Sequence, residues 1–143
     1  MSVTFKLCDS WDDVVKCIVV RSIVFCGEQG ISYQLERDEH DASATHILGE
    51  VENEPVAAAR LRFFKDYAKL ERIAVRQPWR GQGLGHGITQ FMIELGKRHD
   101  YRVFKLNAQT QLQTFYAAHG FQRCGEHFVE AGIDHCPMMM TLG

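Results

Sequence analysis

The run Arg80-Gly81-Gln82-Gly83-Leu84-Gly85 sits between the apolar, strand-like segment Leu70–Val75 and the helix-like segment Leu84–Arg98. Glycines at alternate positions let a backbone turn sharply and approach a ligand closely. A helix starting at Leu84 presents unpaired N–H groups and the positive end of its dipole. A strand, a tight glycine turn and a helix N-terminus together suit a pyrophosphate. Two common phosphate motifs fail on spacing. A nucleoside-triphosphate loop needs Lys followed by Ser or Thr, and neither pair occurs in the chain. A dinucleotide turn needs Gly-x-Gly-x-x-Gly, whereas Gly81 and Gly83 are followed by His86, and Gly83 and Gly85 by Ile88.

Other chemistry-bearing residues give weaker patterns. Cys124, His127, His135 and Cys136 have the composition of a zinc site, but they fall on an expected hairpin whose alternate residues face opposite sides, so no metal is expected. His86 is expected on the outer face of its helix, and His40, His46, His99 and His119 lack partners at ligand spacing. The acidic stretch Glu36-Arg37-Asp38-Glu39-His40-Asp41 reads as a solvated loop, or as the entrance for a cationic amine.

The elements that must hold these residues alternate along the chain. Val3–Leu7 reads as a strand. Ser10 caps a helix whose apolar face is Trp11, Val14, Val15, Ile18, Ser22 and Phe25, with the polar, irregular stretch Cys26–Ser43 after it. Strands follow at Thr45–Val51 and Val56–Phe64, joined by a turn at Glu52-Asn53-Glu54-Pro55, and then at Tyr67–Val75. The helix after the glycines buries Leu84, Ile88, Phe91, Met92 and Leu95 and leads to a strand at Arg102–Asn107. A short helix at about Gln111–His119 ends at Gly120. Strands Phe121–Phe128 and Ile133–Thr141 then close the chain as a hairpin, with Pro137 implying a bulge or an edge. The expected fold is α/β, a mixed sheet flanked by helices.

Composition narrows the classes further. The chain has 143 residues, 45% of them apolar and 24% charged, enough for one domain over residues 1–143 with a sizeable core. A net charge of −2 argues against a nucleic-acid partner. No apolar run approaches the roughly 20 residues of a membrane span, and Met1–Lys6 lacks a signal-peptide apolar region, so the expected compartment is the cytoplasm. Five cysteines with no Cys-x-x-Cys pair read as reduced core thiols.

Arg-x-x-Gly-x-Gly at Arg80–Gly85, the strand Leu70-Glu71-Arg72-Ile73-Ala74-Val75 and the segment Phe115-Tyr116-Ala117-Ala118-His119-Gly120-Phe121 together resemble the GCN5-related N-acetyltransferases (GNAT). The resemblance covers nearly the whole chain. Phe25-Cys26-Gly27-Glu28-Gln29-Gly30-Ile31 and Asp134-His135 are similar to the small bacterial branch with ElaA-like and glyphosate-acetylating members. It implies a mainly antiparallel sheet splayed at its centre, acetyl-CoA as cofactor, and direct acetyl transfer to a primary amine in a ternary complex.

By the same resemblance, Ile73, Ala74 and Val75 would hold pantetheine through their main chain, and Gly81, Gln82, Gly83, Leu84 and Gly85 would hold the pyrophosphate. Arg80 would stand beside the phosphates, with Asn107, Phe115 and Tyr116 completing the cofactor site. Tyr116 would donate to the departing thiolate; alternatively it is a core tyrosine on a face shared with Leu112, Phe115 and His119. His135 would be the base, since imidazole titrates where a general base should; alternatively it is a packed strand residue, with water relaying protons to Glu71 or Glu28. Glu28, Gln29, Glu71 and Arg72 are the acceptor-side candidates. The acceptor is a small-molecule amine or a protein lysine, and a homodimer through the last hairpin is compatible. The competing class is a non-catalytic acyl-CoA sensor or interaction module.

Overall fold

The computed structural model describes residues 2–143. Its centre is a mixed eight-stranded sheet in the order β1-β2-β3-β4-β5-β8-β6, with β7 also paired to β8. The first four strands, β1 (Thr4–Leu7), β2 (Thr45–Val51), β3 (Glu54–Phe63) and β4 (Ala68–Val75), form an antiparallel meander. Between β2 and β3 the turn needs only Glu52 and Asn53, both left-handed at φ 50° and 69°, the conformation a two-residue hairpin turn demands.

In β3, Val56 to Leu61 are all buried, since helices cover both faces of the sheet. Residues of one parity, including Leu48, Ala58 and Ala74, pack with Cys17, Val20, Val24 and Phe25 of the first helical segment. The other parity, including Ile47, Ala57 and Ala59, packs with Leu84, Ile88 and Met92 of the second long helix.

That first segment departs from expectation. Helix α1 (Trp11–Arg21) is capped by Ser10, whose Oγ accepts from the Asp13 N–H at 3.1 Å, and passes directly into a π-helical turn, Ser22–Glu28. Its buried face is Asp13, Cys17, Val20, Arg21, Val24 and Phe25. Trp11 is 75% exposed, and Val15 and Ser22 also face outward. The apolar periodicity misleads here because two positions of the inner face are charged and paired, Asp13 with Lys6 and Arg21 with Glu36 and Asp41. The stretch expected to be irregular contains α2 (Tyr33–Glu36) and a 3-10 turn, Glu39–Ala42.

Helix α3 (Leu84–Arg98) matches its expected span, with Phe91 only partly buried against Phe5. β5 (Val103–Gln109) runs two residues further than expected and leads through a 3-10 turn into α4 (Gln113–Ala117). The final hairpin is also corrected. The expected strand Phe121–Phe128 is two short strands, β6 (Gln122–Arg123) and β7 (Phe128–Glu130), both paired with β8 (Ile133–Thr141).

The break follows from Pro137. Its carbonyl accepts from Cys124 N–H at 2.9 Å, and a strand residue directs its N–H and C=O to the same side. The donor that proline lacks is therefore missing where the ladder lapses. β8 is no edge, since β5 pairs along its other side. All five cysteines are free thiols, and no helix among the described residues is long and apolar enough to cross a membrane.

Candidate active site

β4 and β5 pair in parallel only at Ala68–Phe104, Lys69–Lys105 and Leu70–Leu106; beyond these both strands continue unpaired with each other. Opposite, the β3–β4 register slips by one residue at Arg72, which is left-handed at φ 53°. A bulge with a non-glycine residue in that conformation is backbone strain held in place by its surroundings. The β5-facing edge of β4 is thus left without a strand partner for an extended ligand to use. The splay opens into a cavity of about 670 Å³ that reaches from the π-helical turn to the N-terminus of α3.

At the α3 end, Gly81 and Gly83 are left-handed, at φ 78° and 84°, and a Cβ on either would project into open space. Gly85 has a different role: its Cβ would lie 3.1 Å from Phe115, so its absence lets α4 close against α3. Arg80 is turned inward. Its Nε donates to Val75 O at 2.8 Å and its Nη2 meets Glu28 Oε1 at 2.6 Å, linking the glycine loop to the π-helical turn. Of the expected cofactor residues, Ile73, Ala74, Val75, Arg80, Gly81, Gly83, Leu84, Gly85, Asn107, Phe115 and Tyr116 all line the cavity; Gln82 does not.

Tyr116 is 6% exposed, its ring edge-on to Phe115 and Phe121. Burial pushes its phenol above the usual tyrosine range, so it stays protonated and able to donate. His135 also lines the cavity, paired in register with Gln109 of β5 and stacked on Phe128. Its Nδ1 lies 2.7 Å from Ile133 O. A carbonyl can only accept, so Nδ1 carries the proton and the lone pair of the neutral ring is on Nε2. Neighbouring Asp134 accepts from Thr110 Oγ1 at 2.6 Å and pairs with His127 at 3.1 Å, which anchors the hairpin to the end of β5.

Glu28, Gln29, Glu71 and Arg72 also line the cavity, and each already has a protein partner, Arg72 through Glu36 O at 3.0 Å and Asp38 at 3.3 Å. Glu28 is paired with Arg80. Glu71 is held by Arg60 at 2.9 Å, Lys69 at 3.3 Å and Arg62 at 3.5 Å. Gln29 exchanges amide hydrogen bonds with Gln109, the shorter at 2.9 Å, and so bridges the splay.

The acidic stretch is neither a solvated loop nor a free cation trap. Arg60, 1% exposed, reaches Asp38 at 2.7 Å and Asp41 at 2.8 Å, and Arg21 reaches Glu36 at 2.6 Å and Asp41 at 2.7 Å. Burial alone would raise the Asp41 carboxyl. The two guanidinium groups and the Asp38 N–H outweigh it and hold the group far below the carboxylate range. The network straps the segment 36–41 to β3 and β4. Sequence reasoning missed it because Arg21 and Arg60 carry no local sign of burial. It also missed His86, whose Nδ1 lies 2.9 Å from His119 Nε2. The alternation of Asn107 and Gln109 on β5 did carry a usable signal for Gln109.

Residues 24–142 match the family model described as an acetyltransferase (GNAT) domain. The chain is 38% identical over 121 residues to the N-acetyltransferase YjcF of Bacillus subtilis, covering 84% of this chain and 86% of that one. Among solved structures it is similar to an acyl-CoA N-acyltransferase from Pseudomonas aeruginosa, with 25% identity, a TM-score of 0.89 and coverage of 98% and 100% of the two chains. It is likewise similar to Escherichia coli ElaA, with 28% identity, a TM-score of 0.86 and coverage of 97% and 99%. With its splayed sheet, glycine loop and family match, this chain belongs to the GNAT acetyltransferases.

Proposed function

We propose that the chain transfers an acetyl group from acetyl-CoA to the primary amine of a small molecule, by direct attack in a ternary complex. The observation that carries this reading is the loss of β4–β5 pairing beyond Leu70, which leaves a main-chain edge on the wall of the cavity that the left-handed glycines, Tyr116 and His135 also line. The residues fit the cofactor. A Cβ at Gly81 or Gly83 would enter free space at the phosphate end, and the edge at Ile73–Val75, which β5 does not pair and whose Val75 carbonyl Arg80 holds, suits the amide-bearing pantetheine arm.

Tyr116 donates to the sulfur of the leaving thiol, which lowers the cost of expelling it. His135 Nε2, the bare nitrogen of the neutral ring, accepts the proton of the attacking amine, and the Ile133 carbonyl holds the ring in the required tautomer. Glu71, neutralised by three cations, orders the acceptor wall rather than serving as base. Arg72, held by Glu36 O and Asp38, and Gln29, held by Gln109, orient the acceptor through the donors those contacts leave over. Among the described residues, no cysteine or serine lines the cavity, which supports direct transfer over an acyl-enzyme.

Calorimetric titration with acetyl-CoA, ATP and NAD tests the cofactor, followed by an amine screen read by release of free thiol. Selective acetyl-CoA binding with amine-dependent thiol release is expected. Preference for ATP or NAD would overturn the reading.

A further inference from the structure

His86 and His119 come from different elements, the first turn of α3 and the residues just after α4, and meet ring to ring. His86 Nδ1 is 2.9 Å from His119 Nε2, and the His86 ring is stacked on Phe115 with centroids 4.2 Å apart and planes 21° from parallel. His86 lines the main cavity beside Gly81, Gly83 and Gly85.

Two imidazoles 2.9 Å apart share one N–H between them. Whichever ring donates, the neutral pair has one outward N–H and one outward bare nitrogen, on His86 Nε2 and His119 Nδ1 in one order or the other. One added proton, bound at the bare nitrogen, leaves the inner N–H···N bond intact. The pair then has two outward donors and a single positive charge.

We propose that the His86–His119 pair is a phosphate subsite for the nucleotide end of the cofactor, and that it takes up one proton from solvent when the cofactor docks. The inference rests on the acetyl-CoA reading above. Burial and the neighbouring His86 ring both hold His119 below the usual imidazole range. A phosphate beside it favours the charged form.

Several charged groups on the surrounding elements have other partners, and Tyr116 is buried in its protonated form. Arg80 in the loop faces Glu28 and Val75 O. On α3, Glu94 is bonded to Gln90 and Lys97. On α4, Tyr116 is protonated and buried, and on β6, Arg123 donates to Gly125 O. After burial, the neighbouring group that lowers His119 is His86.

Since the proton belongs to the bound state, affinity is greatest at low pH and falls as pH rises through the pair's bound-state titration, by at most about tenfold per pH unit for one proton. The test is calorimetry at pH 7.0 in buffers of different ionisation enthalpy, which counts protons. Dephospho-CoA is the first probe, because its diphosphate has no group of its own titrating there; CoA is the second, and pantetheine, which has no phosphate, the third.

Uptake approaching one proton with dephospho-CoA assigns the pair to the diphosphate. Uptake exceeding that of the His86→Gln, His119→Gln double variant only with CoA assigns it to the 3′-phosphate. In either case the double variant and the single His119→Gln variant lose the uptake, and pantetheine shows none. Binding of CoA with equal proton uptake in wild type and both variants would overturn the subsite and leave the acetyl-CoA reading standing. Absence of CoA binding to the wild type would overturn both.

Discussion

At the residue scale, reactivity depends on where two protons sit. Tyr116 keeps its proton because burial disfavours the phenolate, and among the described residues its hydroxyl has no hydrogen-bond partner, which fits the proposed role of donor to a ligand sulfur. Tyr116→Phe is expected to lower kcat by about 10²- to 10⁴-fold while acetyl-CoA affinity stays within roughly twofold, because only the transition state needs that donor. An unchanged kcat would remove Tyr116 from the chemistry. His135 has its tautomer set by Ile133 O, a backbone group that no side-chain substitution removes. His135→Gln should abolish one limb of the kcat/KM profile against pH and leave cofactor binding intact; a profile superimposable on wild type would show that another group takes the proton. Both candidates were proposed from the segments that carry them, Phe115–Phe121 and Asp134-His135. That they line one cavity is a matter of β5, α4 and β8 coming together.

The elements are held by two kinds of close packing. α3 lies on β5 so tightly that a Cβ on Gly96 would come within 2.4 Å of Phe104, a fully buried ring of the sheet. Gly96→Ala is therefore expected to destabilise the fold by about 1–3 kcal/mol despite alanine's better helix propensity, as read by urea unfolding. A stabilised variant would mean that Phe104 can move aside. The segment 36–41 is held by charge instead. Arg60→Met leaves Asp38, Asp41 and Glu71 without their shared buried cation and should cost about 3–5 kcal/mol. Lysine should not rescue it, since one ammonium cannot span three carboxylates as the guanidinium does.

Element type was largely legible from periodicity, as α3 and the β2–β3–β4 meander show. The inward face of α1 was not. Asp13 and Arg21 look like solvent residues until Lys6, Glu36 and Asp41 arrive from elsewhere in the chain. The break between β6 and β7 was half legible, since Pro137 announced an irregularity and only the pairing of β8 with β5 fixed which side it fell on.

For the whole molecule, ligand and pH act on the same folded state. Acetyl-CoA at about 100 times its dissociation constant should add roughly 2.7 kcal/mol and raise Tm by several degrees, with no shift from ATP or NAD. An equal shift from all three would mean nonspecific anion binding. Acid should act through Asp38 and Asp41, whose carboxyls are lowered in the folded state against the pull of burial. Their contribution is fully present at neutral pH and is lost as pH falls below the ordinary carboxylate value of about 4, so urea stability should decline there, and less steeply in Arg60→Met. The sequence by itself determined what short-range covalent order can: the glycine turn before a helix, the alternation of elements, the family and its cofactor class. Those properties depend on residues within a turn or a strand of one another. Tertiary structure alone decided which charges are buried, that Arg80 answers Glu28 across 52 positions, that His86 meets His119, and how far β4 and β5 stay paired. Each of these is a contact between segments distant in sequence, and its energy depends on burial that no local pattern records.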